Sequence, residues 1–383
     1  MKDEMRARMR AFQERLRAAR HQVAVLSEPS SIAYLAGCFG YLGVEFGRPT
    51  LLVVRPDTEP VLITPAMEAE LVGRMTWIED VRPWEDAGPA HWTARLAQTL
   101  DRDVRALGVE ADVLPALVRR GLEETFAGVP LIDAAPALAE LRMIKSPAEI
   151  LVMRQAGSIA EAMMAAARDA LHEGVPEYEV ALGVRAAGTR KAASLLNGAG
   201  WDALVSPVIH GLPILQSGPD TSMVHRRAGC RRIGRGEPVY FCFCNLVEFK
   251  HYRLGFDRLL FVGEPDADAR RVQEIAIEAQ AAALQAVRPG VLAEQVATAA
   301  NEVYARYGLA PGYRTGRAIG LAYLEAPELK AGDRTVLRPG MTFAVDGGVT
   351  VPGRLGGRIG DSIVVTEAGF DFLTDFPRSV LVV

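Results

Sequence analysis

A short motif occurs twice in the second half of the chain, and it limits the possible folds more than any other feature. Gly174-Val175-Pro176-Glu177-Tyr178-Glu179-Val180-Ala181 recurs as Gly290-Val291-Leu292-Ala293-Glu294-Gln295-Val296-Ala297. Each copy joins two helical patterns, 149–172 to 177–190 and 267–287 to 292–307, and strand-rich sequence follows each pair. Apolar residues at helical spacing, then short runs rich in Val, Phe and Tyr, are the signals of those two states. Two helix pairs, each with a sheet behind it, predict a duplicated α+β body with a cleft at the junction. Small-molecule sites commonly form in such clefts.

The preceding residues read as a separate, smaller α/β domain. The runs Gln22–Pro29, Pro49–Pro56 and Pro60–Pro65 are short, apolar and bounded by Pro or charged residues, as buried strands are. Helical patterns surround them near 5–20, 89–101 and 114–125. At Lys145-Ser146-Pro147-Ala148-Glu149 the sequence offers an N-cap, a proline at the first helical position and a glutamate three residues past the cap. The expected domains are therefore 1–144 and 145–383. A chain of 383 residues is long enough for both, since domains cluster near ~100–150 residues.

Charge and composition exclude several classes. With 43 Lys+Arg against 47 Asp+Glu the formal net charge is −4, which gives no polybasic surface for nucleic acid or membrane. No apolar run reaches the ~18 residues of a membrane span, and the charged start lacks the apolar core of a secretory signal. Four cysteines, Cys38, Cys230, Cys242 and Cys244, do not make a disulfide scaffold. A reducing cytoplasm is the expected location.

Three stretches carry a resemblance. They are Pro29-Ser30-Ser31-Ile32-Ala33-Tyr34-Leu35-Ala36-Gly37, Leu141-Arg142-Met143-Ile144 running into the cap at Lys145–Glu149, and Leu337-Arg338-Pro339-Gly340-Met341-Thr342-Phe343 before a strand. With the element order, they resemble the creatinase, aminopeptidase P and prolidase family and its pita-bread fold. Its metallopeptidases hold two ions with two Asp, one His and two Glu. By that resemblance the five positions carry Cys242, Gly255, Arg317, Asp346 and Gly360 here. One carboxylate remains, and a guanidinium that cannot deprotonate stands at the imidazole position.

The resemblance then points to the metal-free branch, creatinase and ectoine hydrolase. Ser217-Gly218-Pro219-Asp220-Thr221-Ser222-Met223-Val224-His225 looks like the stretch ending in the creatinase catalytic histidine. Asp257-Arg258-Leu259-Leu260-Phe261 and Asp346 resemble substrate-holding acids, and Phe46-Gly47-Arg48 resembles a segment that reaches the substrate across a dimer. The run Gly316–Tyr323 and the ending Thr374–Arg378 look closer to ectoine hydrolase. Histidine suits proton transfer in both directions near neutral pH. Paired carboxylates can hold a cationic amidine or guanidinium, and an arginine can hold a carboxylate.

The implied protein is a homodimeric, metal-independent hydrolase of a non-peptide C–N bond, with no cofactor and a small zwitterionic nitrogenous substrate. His225, Asp257, Asp346 and Cys242 are the candidate catalytic residues. Arg48, Arg317, Tyr323 and Phe46 are the candidate substrate contacts. Cys242 is either core filling or a thiolate nucleophile activated by His225. Two other functions stay open: an Xaa-Pro dipeptidase or aminopeptidase with a metal centre, and a non-catalytic binding protein on the same scaffold.

Overall fold

The computed structural model describes residues 2–40, 42, 46–100, 103–210, 214–244, 246–310 and 312–383. It divides into two units: Met1–Arg142 with Ala199–Leu204, and Met143–Gly198 with Val205–Val383. The short excursion at 199–204 joins the first unit through Trp201, whose Nε1 donates to the carbonyl of Gly37 at 3.0 Å. Nothing in the sequence around it marks that return.

The first unit contains α1 (Lys2–Ala18), β1 (Ala24–Leu26), α2 (Pro29–Ala36), β2 (Leu51–Val54), β3 (Val61–Pro65), α3 (Ala69–Met75) and β4 (Asp80–Trp84). It continues with α4 (Trp92–Thr99), β5 (Leu107–Val109), α5 (Ala116–Thr125), β6 (Leu131–Asp133) and α6 (Ala135–Met143). The sheet order is β4-β3-β2-β1-β5-β6, antiparallel from β1 to β3 and parallel outward from there. Strands β1, β2 and β3 are buried at every residue, which is why they read as continuous apolar runs. One face packs Val25, Val53 and Ile63 with Leu96 and Leu122 from α4 and α5.

A carboxylate is buried in this unit. Glu110 accepts the hydroxyl of Ser31 and the backbone N–H of Glu28, and burial pushes its carboxyl from 4.5 up to about 7. The folded state therefore holds a proton that the unfolded chain has released. Stability should fall as pH rises from 4.5 through 7, by about 3 kcal/mol at most. In Glu110→Gln that decline should disappear, so the variant gains on the parent at pH 8 and not at pH 4. Urea midpoints at the two pH values check this, and parallel curves would show the carboxyl to be unperturbed.

The second unit opens on the expected helix start. Ser146 Oγ accepts from Glu149 N at 3.2 Å and Glu149 Oε2 accepts from Ser146 N at 2.9 Å, a complete capping box with Pro147 at the first helical position. The elements are α7 (Pro147–Ala170), α8 (Glu177–Leu195), β7 (Ile214–Ser217), β8 (Pro238–Cys242), β9 (Glu248–Phe249), β10 (Tyr252–Arg253) and β11 (Asp257–Phe261). Then follow α9 (Ala267–Ala286), α10 (Ala293–Arg306), β12 (Gly316–Ala318), β13 (Glu325–Leu329), β14 (Thr342–Val351), β15 (Leu355–Val365), β16 (Phe370–Phe372) and β17 (Leu381–Val382). Among the described residues, no helix is long and apolar enough to cross a membrane.

The repeated motif does the same work in both halves. Gly174 N–H bonds the carbonyl of Ile233 at 2.7 Å, and Gly290 N–H bonds that of Leu337 at 2.9 Å. Two residues on, Pro176 bridges Arg232 and Leu292 bridges Val336. Both glycines have left-handed backbone, φ +83° and +87°, where a side chain would be strained. The duplication is thus a structural repeat: helix pair, glycine turn, sheet.

The sheet runs β13-β12-β14-β15-β11-β8-β7, with β16 on β15 and β17 beside β11. Helix α9 lies directly on β14 and β15, close enough that a Cβ at Gly347 would stand 2.0 Å from the carbonyl of Ala276. Its other contacts form the larger apolar core with Ala279, Ala283, Phe343, Val345 and Ile363.

Candidate active site

One cross-strand row carries most of the chemistry. Strand register places Cys242 of β8 opposite Asp257 of β11, Asp257 opposite Gly360 of β15, and Gly360 opposite Asp346 of β14. Direct cross-strand neighbours have Cβ atoms about 4.5–5.5 Å apart on the same face. Gly360 is the gap that lets the two acids face each other. A Cβ there would stand 2.7 Å from Asp346 Oδ1 and 3.0 Å from Asp257 Oδ2.

Each acid has its own surroundings. Asp257 is buried; it accepts from the Tyr240 hydroxyl at 3.1 Å and from Cys244 Sγ at 3.4 Å. Burial and the neighbouring Asp257 push the Tyr240 phenol well up, so it remains a donor. Asp346 pairs with Arg317, Nη1 to Oδ2 at 2.9 Å. Part of the Asp346 side chain, 28%, is exposed, yet Oδ1 is shut away and has no hydrogen-bond partner among the described residues. Burial, aided by the charge of Asp257, outweighs the ion pair and raises the Asp346 carboxyl to about 6.

Arg317 lies on β12 beside β14 and is nearly buried. Its Nε donates to the carbonyl of Tyr323 at 3.0 Å, and the guanidinium sits 5.8 Å from the Tyr323 ring centroid. Burial works against its charge, but Cys244, Asp346 and Asp257 outweigh it and hold the group cationic. Arg317, Tyr323, Asp257, Asp346 and Cys242 are thus brought together. Sequence reading missed Tyr240 and Cys244 as members; Tyr240, two residues before Cys242 on a strand, shares its face and was open to inference.

Two expectations need correction. His225 is exposed and lies on the segment that passes along the outer side of β7, where Ile214 pairs with Arg227 on one side and Cys242 on the other. Two strand spacings, about 10 Å, separate that segment from β8. A nucleophile and its base must be within about 3 Å, so no His225–Cys242 pair is assembled. The Cys242 thiol is also pushed well up by its hydrogen bond with Cys244, by burial and by Asp257, the opposite of an activated thiolate. In the first unit, Phe46 is exposed and Arg48 is paired with Asp86.

The two-ion donor set of the resembling metallopeptidases does not fit here. A Cβ at Gly255 would stand 2.5 Å from that of Ala344 and 3.0 Å from Arg317 Nη2. Arg317 itself is paired with Asp346 at 2.9 Å, and Glu325 at the start of β13 is bonded to Lys145 at 2.9 Å. Among the described residues, the donors that do converge are Cys242, Cys244 and Asp257, whose ligand atoms lie within 4.8 Å of one another.

A creatinase-type first unit and a duplicated helix-and-sheet body with this polar row define a pita-bread hydrolase. Residues 152–367 match metallopeptidase family M24, and residues 8–144 match the creatinase/prolidase N-terminal domain. The chain belongs to metallopeptidase family M24. It is 32% identical to a probable dipeptidase PepE of Mycobacterium tuberculosis over 94% of this chain and 91% of that one. It is 31% identical to the agropine synthesis cyclase of Rhizobium rhizogenes, over 96% and 95% of the two chains. The solved dipeptidase PepE of Mycobacterium ulcerans superposes with a TM-score of 0.84 at 28% identity, covering 100% of this chain and 98% of that one. The dipeptidase relatives overturn the expectation of a metal-independent hydrolase of a non-peptide C–N bond and favour its alternative, the Xaa-Pro dipeptidase or aminopeptidase.

Proposed function

We propose that this protein is a hydrolase of short peptides of the dipeptidase kind. The observation that carries the reading is the similarity to the PepE dipeptidases, which covers 94% of this chain in sequence and 100% in structure. The polar row supports it. Arg317 supplies a fixed cation and Asp346, whose side chain is partly exposed, a carboxylate beside it at 2.9 Å. A zwitterionic dipeptide carries one group of each sign, so such a row can orient it end to end. Tyr240 and Cys244 hold the Asp257 carboxylate in a fixed direction, as a preorganised site requires.

The test is release of free amino acids from a panel of dipeptides, Xaa-Pro dipeptides included, by the purified protein with and without added divalent metal. Cleavage of at least one class is expected. A second reading is favoured by the agropine synthesis cyclase, whose similarity covers slightly more of the chain: closure of a ring within one small substrate. A cyclic product lighter than its substrate by one water, with no amino acids released, would favour it.

A further inference from the structure

The row holds a set of donors that peptide binding does not explain. Cys242 ends β8, Cys244 follows in the turn, and Asp257 opens β11 directly opposite. Cys244 Sγ is 3.4 Å from Asp257 Oδ1, and all three ligand atoms fall within 4.8 Å of one another. Donors held at about 2.0–2.3 Å around a tetrahedral ion stand roughly 3.3–3.8 Å apart, so a small side-chain adjustment closes the set. We propose that Cys242, Cys244 and Asp257 bind one soft divalent ion of the zinc class. The inference rests on the reading of this row as the working site.

The chemistry of the donors favours such an ion. Two thiolates select zinc over the hard ions that carboxylate-only sites take. Three protein donors leave a position open, as in catalytic zinc sites and unlike closed structural ones. The Tyr240 hydroxyl on Asp257 Oδ2 turns Oδ1 toward the sulfurs, the kind of outer hydrogen bond that orients metal ligands. A single ion is expected because the other carboxylate of the row, Asp346, is already paired with the cationic Arg317. The family's two-ion arrangement is thereby replaced by a one-ion thiolate centre.

The experiment uses the full chain, reduced and stripped by a chelator, with Co²⁺ as the probe. One equivalent should bind and produce a near-ultraviolet sulfur-to-cobalt charge-transfer band. Cys242→Ser and Cys244→Ser should each weaken binding by more than about 100-fold, because outer-layer changes alone cost about 10–100-fold. Cys230→Ser, at an exposed cysteine, should leave it unchanged. In wild-type protein, Zn²⁺ should slow alkylation of the half-buried Cys244 and spare Cys230, a readout that needs no variant. Absence of the band, binding of two equivalents, or unprotected Cys244 would overturn the proposal. Co²⁺ binding through sulfur without dipeptide cleavage removes the peptidase reading alone; cleavage without the sulfur band removes the metal site alone.

Discussion

Replacing Arg258 by methionine should cost about 3–5 kcal/mol, the largest stability effect of any single substitution considered. Arg258 is 1% exposed and pairs at 2.8 Å with Asp361, which is 0% exposed. Breaking the buried pair from one side leaves the Asp361 charge with only the partly exposed Arg378 to offset it, hence the magnitude. The guanidinium also donates to the carbonyls of Asp257, Gly360, Phe376 and Pro377. It therefore ties β11 and β15, two of the strands that carry the row, to the C-terminal segment. Against a typical total of 5–15 kcal/mol, such a loss leaves little reserve. Arg378 also reaches Asp361, at 3.1 Å, but is partly exposed, so Arg378→Met should cost clearly less. Denaturant melts of the two variants decide it, and equal small losses for both would show that the network is dispensable.

The largest effect on activity should come from Asp257→Asn, which keeps shape and removes charge. The Tyr240 hydroxyl, Cys244 Sγ and, across Gly360, Asp346 are arranged around this carboxylate. Turnover of a dipeptide should fall by about 100-fold or more, the lower end of what a positioned acid or base contributes. The melting curve should hardly move, since the amide retains an acceptor for Tyr240. Undiminished turnover would remove Asp257 from the site and leave it a structural acid.

Much of the fold could be read because its signals are local. The capping box at Ser146–Glu149 and the glycine turns at Gly174 and Gly290 are each contained within a few residues, and each makes the backbone contacts its pattern implies. The site was legible only in part, because it is built by register between strands far apart in sequence. Asp257, Asp346 and Arg317 were singled out, but their mutual pairing depends on β15 lying between β11 and β14, and on β12 beside β14. Arg317, read as an anion holder, has one arm already engaged by Asp346. Arg258, adjacent to Asp257, points to the other face of its strand, and its contact with Asp257 is to the backbone carbonyl rather than the carboxylate. Cys244 lies past the end of β8, where strand alternation gives no guidance. His225 was chosen because residues 217–225 resemble a creatinase stretch, and a resemblance along the chain does not report that β7 stands between it and Cys242. The activity was the least legible part, since the departures from the family's ligand pattern pointed away from the peptidases among the relatives of this chain.

Product analysis on wild-type protein addresses the central claim most directly. Dipeptides are incubated with the folded homogeneous protein, supplied in turn with Zn²⁺, Co²⁺ and Mn²⁺, and the products are separated by chromatography. Hydrolysis at the peptide bond should yield the two constituent amino acids in equal amounts, from the wild type and not from Asp257→Asn. A folded wild-type protein that releases no amino acid from any dipeptide under any of these conditions would contradict the account.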